Sequence, residues 1–173
     1  MSISKIQPGI SFSRNFKVRP EWAADQMGSG HVPVLSTAAL VLAMENTAAS
    51  SILPYLEEGT TSVGSRVEIV HLYPTPVGES FTIDLVVAKV DKSRIDFTLT
   101  ARDEHRVIST GFHRRHVVDT AKFLEKVMTA DPGSGNSSTE LPVVETAPAP
   151  DEEVLRRRHD LDSEDFNDND TIF

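Results

Sequence analysis

The chain has no cysteine among its 173 residues, which excludes a disulfide framework, thiol catalysis and thiolate metal sites and suits a reducing compartment. Long apolar runs are missing as well. None reaches the roughly 18 residues that a membrane-spanning helix needs, and the first residues lack the apolar centre of a secretory signal. Basic charge is in no net excess over the larger part of the chain. Residues 1–129 hold 14 acidic and 14 Lys or Arg side chains, while residues 130–173 hold 12 acids against three arginines, so the net charge of −9 belongs to the last segment. A neutral body lacks the basic patch on which nucleic-acid binding rests. These absences lead to an expectation of a cytoplasmic protein with neither a membrane nor a nucleic-acid partner. An organellar matrix is the alternative, because residues 1–20 carry Lys5, Arg14, Lys17 and Arg19 with serines and no acid, the composition of a transit peptide.

What is present divides at about residue 130. Residues 1–129 have the length and apolar content for one domain. Residues 130–173 open with "ADPGSGNSSTELPVVETAPAPDEE", rich in Pro, Ser, Gly and acids, and read as a disordered acidic tail whose apolar content is too low to offset ordering entropy. Within the body, Ile10, Phe12, Phe16 and Val18 alternate with Ser11, Ser13, Asn15 and Lys17, the period of a half-buried strand. A loop with Gly28 and Gly30 follows, and Pro33 suits a first helical turn of a helix over 34–53 that Pro54 ends. Strands are predicted over 62–72, 79–90, 93–103 and 106–118, with Phe81, Ile83, Leu85 and Val87 on one face of the second and Ile95, Phe97 and Leu99 on one face of the third. The connections "VDKS" and "DEHR" are of hairpin length, and a short helix over 120–128 closes the domain. One long apolar helix followed by antiparallel strands is an α+β layout.

The helix segment "STAALVLAMENTAASSILPYL" contains one acid. Leu35, Ala38, Leu42, Glu45, Ala49 and Ile52 follow the 3, 4 spacing of a single stripe, which puts Glu45 on the face expected to meet the core. A buried carboxylate costs several kcal/mol unless it is paired, hydrogen-bonded or protonated. In the strand "SRVEIVHLY", His71 shares its face with Val67 and Ile69. Each group alone reads more readily as structure than as chemistry. A carboxylate and an imidazole on two inward faces can tune one another, however, and together with Thr37 they form a candidate site.

The segments "LSTAALVLAMEN", "PYLEEGTTSVGSRVEIVHLYPTPVGE" and "STGFHRRHVVD" resemble the fluoroacetyl-CoA thioesterase family of hot-dog proteins, over about residues 8–126. The resemblance implies a hot-dog fold, with an antiparallel sheet wrapped around one long helix, and a thioester hydrolase acting on an acyl-CoA substrate with no cofactor and no metal. It implies Thr37, Glu45 and His71 as the catalytic set and Gly64 as the glycine of the strand entry. The remaining matched motif contains His113 and Arg115, the latter a candidate for the CoA phosphates beside Arg114 and Lys122. The family's aromatic lid, a Phe just ahead of the helix, has no counterpart near His31, so fluoroacetyl selectivity is not carried over; Met27, His31 or Val34 stand where a lid would be. Eight helical residues rise about 12 Å, so Thr37 and Glu45 of one straight helix cannot reach one substrate atom. Either Thr37 lies in an entry that folds back, or the site combines two subunits, and a homodimer is expected. The alternative is a non-catalytic acyl-CoA-binding module whose tail recruits a partner. A metal site from His71, His113 and His116 lacks a carboxylate at ligand spacing.

Overall fold

In the computed structural model, residues 5–129 are described. The expected tail over 130–173 lies outside them. Five strands, β1 (Ser11–Lys17), β2 (Thr60–His71), β3 (Ser80–Asp91), β4 (Arg94–Arg102) and β5 (Val107–Asp119), form one antiparallel sheet in the order β1-β3-β4-β5-β2. A long helix, α1 (Thr37–Ile52), packs on the sheet, and a short one, α2 (Thr120–Thr129), follows β5. This is the hot-dog layout expected from the sequence. The two hairpins join β3 to β4 and β4 to β5; β2 lies on the far side of β5 rather than beside β3, which leaves β2 as an edge strand. No helix among the described residues is long and apolar enough to cross a membrane.

The core face of the sheet follows the alternation of the sequence. Phe81, Ile83, Leu85 and Val87 of β3 and Ile95, Phe97 and Leu99 of β4 are all buried. The helix differs from expectation in phase. Its buried residues are Ala39, Leu40, Ala43, Met44, Thr47, Ala48 and Ile52, whereas Leu42 is 55% exposed and Ala38 is exposed. Glu45 therefore lies beside the core stripe, not within it, with its side chain 39% exposed. The segment is apolar almost all round, so two stripes satisfy helical spacing. The one rich in alanine faces the sheet because small side chains let the helix settle closely on it.

Pro33 also falls outside the helix. Val34 and Leu35 form extended bridges to Pro76 and Ala23, and Ser36 is the cap. Its hydroxyl accepts a hydrogen bond from the Ala39 N–H at 3.0 Å and donates to the Met27 sulfur at 2.9 Å. Capping of this kind holds the first turn, including Thr37, at a defined height above the sheet. Ser36→Ala should lower stability by about 1 kcal/mol, measured by chemical denaturation; an unchanged midpoint would show that the cap does not fix the helix start.

Candidate active site

The face of β2 that meets α1 carries Ser62, Gly64, Val67, Ile69 and His71, lying opposite Val117, Arg115, His113, Gly111 and Ser109 of β5. A bulge between Gly64 and Arg66 adjusts the alternation. Two polar clusters form on this face, with Val67 and Ile69 between them.

The first cluster is at the start of α1. Thr37 Oγ1 lies 3.0 Å from His71 Nδ1. Burial holds the His71 imidazole below the ordinary value of 6.5, partly offset by the Tyr73 backbone, so the ring is neutral at pH 7 and can take a proton. Its Nε2 is buried without a hydrogen-bond partner among the described residues, and so is the hydroxyl of Ser109, which is fully buried and directly opposite on β5.

The second cluster is two turns further along the helix. Glu45 Oε1 stands 3.8 Å from His113 Nε2 and 3.8 Å from Arg115 Nη1. Arg115, 6% exposed, donates to the Ser62 carbonyl at 2.8 Å and to the Ser62 hydroxyl at 3.0 Å. His113 Nδ1 faces the Arg66 carbonyl at 2.9 Å, which only a protonated Nδ1 satisfies. Its Nε2 then accepts from Arg115 Nη1 at 3.2 Å. Burial, the largest influence on this ring, keeps it neutral, so the approach of Glu45 to His113 is not an ion pair. The compensating pair is Glu45 with Arg115, whose buried charge requires a counter-charge nearby. Gly64 makes room for this carboxylate: a Cβ there would overlap Glu45 Oε1 and lie 3.2 Å from His113 Cε1.

The family model for the fluoroacetyl-CoA-specific thioesterase, FlK, matches residues 18–121, more than half of the chain and both clusters. The chain belongs to that family. It is 31% identical over 99 residues, 57% of this chain and 71% of the relative, to the fluoroacetyl-CoA thioesterase of Streptantibioticus cattleyicolor. A solved structure of the fluoroacetyl-CoA thioesterase FlK matches with a TM-score of 0.68 at 28% identity, over 73% of this chain and 98% of that one. A hot-dog-like protein from Thermanaerovibrio acidaminovorans matches with a TM-score of 0.69 at 27% identity, over 74% and 96% of the two chains. A thioesterase superfamily member from Thermus thermophilus gives 0.66 at 28% identity, over 71% and 91%. The protein is a thioester hydrolase of hot-dog fold.

In this thioesterase, Thr37 and His71 meet within one chain, and Glu45, Gly64, His113 and Arg115 meet within one chain, but the two groups stay apart. His31 is exposed in the loop before α1 and has no hydrogen bond or ion pair to either cluster among the described residues. Arg115 is not a surface cation, and Arg114 is held on the outer face by both carboxylate oxygens of Asp96, at 2.7 and 3.0 Å. His71 and His113 fall in different clusters, and His116 lies on the opposite sheet face. Sequence reasoning passed over Ser62 and Ser109. For Ser109 a signal existed, since Ser109, Gly111, His113 and Arg115 continue one alternating face.

Gly64→Ala tests the close approach. The obstructed atom is the end of a flexible side chain, so the added methyl should displace the Glu45 carboxylate rather than unfold the sheet. Hydrolytic kcat should fall roughly 10- to 100-fold with a melting temperature close to that of the wild type; full activity would show that the carboxylate position is immaterial.

Proposed function

We propose that the enzyme hydrolyses a small acyl-CoA thioester at a site shared by two subunits, with Thr37 and His71 from one and Glu45 of the partner subunit. The observation that carries this reading is the Thr37–His71 hydrogen bond at one end of a β2 whose outer edge has no partner strand among the described residues. A rigid helix holds Glu45 about 12 Å from Thr37 in the same chain. A two-fold axis near the middle of β2 runs two copies antiparallel, and lays the His71 end of one against the Gly64 end of the other. Each Thr37–His71 pair then faces the carboxylate of the opposite subunit. The symmetry makes two equal sites from one interface.

In this arrangement the neutral His71 accepts a hydrogen bond from the Thr37 hydroxyl at Nδ1, the ring nitrogen that faces Thr37, while Nε2 stays buried. Water adds to the thioester carbonyl carbon as its proton passes to Thr37 Oγ1 and the Thr37 proton passes to Nδ1. Collapse breaks the C–S bond, and the imidazolium returns the proton to the leaving CoA sulfur. Glu45 of the partner subunit stabilises the imidazolium between these steps. The acyl group is small, in keeping with the family's substrate, but fluoroacetyl selectivity is not part of the proposal because no Phe stands near His31 to form the family's lid.

Two outcomes follow. Mixing inactive Thr37→Ala and Glu45→Gln chains and allowing them to exchange should restore about a quarter of wild-type activity, because half of the dimers are mixed and each contains one intact site. No restoration would place all three residues in one chain and overturn the shared site. The base must be unprotonated; burial in its own chain lowers the His71 pKa, and the partner's Glu45 opposes that shift. The rate kcat/KM should therefore rise with pH along one acid limb that is absent from the residual activity of His71→Ala; an unchanged limb in His71→Ala would remove His71 as the base.

A further inference from the structure

On the other side of α1 from β2, a cleft of about 600 Å³ opens between β1 and the helix. It is lined by Arg14, Phe16, Lys17, Arg19, Trp22 and Leu42, among others, and no carboxylate is in its walls. Arg14 shares its strand face with Phe12 and Phe16, and so points toward the helix from the apolar side of the sheet. Neutral groups hold it there: Nη1 donates to Asn46 Oδ1 at 2.6 Å and to Ser50 Oγ at 3.1 Å, with the guanidinium 5.3 Å from the Phe16 ring centre. Arg19 stacks 4.6 Å from the Trp22 ring centre. Its contact with Glu21, 3.3 Å away, joins two side chains that are 58% and 60% exposed, a pair of little strength. Arg14 has no carboxylate partner among the described residues, and Lys17 lies on the opposite face of β1 from it.

We propose that this cleft binds a nucleotide, with the phosphates on Arg14 and Arg19 and the base against Phe16 and Trp22. Two arginines and no carboxylate in the walls favour an anion, and arginines take phosphate oxygens in pairs. The two aromatic walls favour a planar ring. The volume is in the range of small-molecule sites. The ligand comes either from the nucleotide end of an acyl-CoA or from a separate nucleotide, and binding here does not depend on the hydrolytic mechanism.

Trp22 is the single tryptophan of the chain, so intrinsic fluorescence reports on this cleft directly. ADP and CoA are titrated into the full-length protein, with adenosine and inorganic phosphate as separate controls. The expected result is a saturable change with ADP, CoA or both, weakened roughly tenfold in Arg14→Gln and in Arg19→Gln, and absent with adenosine alone. If CoA is the ligand, the same variants raise KM for an acyl-CoA, leave kcat unchanged, and do not alter hydrolysis of the matching acyl-pantetheine. If ADP binds without affecting KM, the site takes a separate nucleotide. No saturable change with either nucleotide, an equal response to phosphate alone, or undiminished binding by the folded Arg14→Gln and Arg19→Gln proteins would each overturn the proposal. Because the titration requires no turnover, an inactive hydrolase that still binds remains distinguishable from an empty cleft.

Discussion

The stiffness of α1 constrains everything else. An α-helix advances about 1.5 Å per residue, and its core-facing residues are packed on β3 and the neighbouring strands, so Thr37 and Glu45 cannot approach one another within a chain. The sheet repeats the separation. His71 and Ser109 lie at one end of the β2–β5 pairing, Gly64 and Arg115 lie further down it, and Val67 and Ile69 keep the clusters apart. In the proposed site a second copy brings Thr37, Glu45 and His71 together, along the edge of β2 that has no partner strand among the described residues.

Each cluster answers a different electrostatic demand. Arg115 is a buried cation whose hydrogens go to Ser62 and His113, and those neutral acceptors do not balance its charge. Glu45, at 3.8 Å, does, while keeping its carboxylate partly exposed. Gly64 is small because that carboxylate occupies the place of a side chain. In the other cluster no charge is compensated at all. Burial keeps His71 neutral, and a neutral ring bonded to a hydroxyl is ready to accept a proton. The proposed dimer joins the counter-charge of one chain to the base of the other.

Much of this was legible in the sequence, for physical reasons. Residues such as Phe81 to Val87 and Ile95 to Leu99 alternate cleanly because one sheet face meets the helix, so strands and hairpins could be read. The order of the sheet could not, since nothing local in β2 specifies β5 rather than β3 as its neighbour. The helix phase was read wrongly because α1 is apolar on nearly every side, and the choice between stripes is made by how closely Ala39, Ala43 and Ala48 pack. Glu45 was thereby assigned to the core when it flanks it. Pro33 suggested a helix start, but the tertiary bridges of Val34 and Leu35 hold that segment extended and Ser36 takes over as cap. Arg14 interrupts the apolar face of β1, and that interruption was the visible trace of the cleft beside it.

The central claim is that β2 of one subunit pairs with β2 of another. Amide hydrogen exchange along 60–71, followed at protein concentrations that support full hydrolysis, tests it most directly. The account predicts that β2 amides pointing away from β5 exchange as slowly as those bonded to β5, since a second strand covers them. Rapid exchange of those outward amides in a fully active enzyme would contradict the account and return the whole site to a single chain.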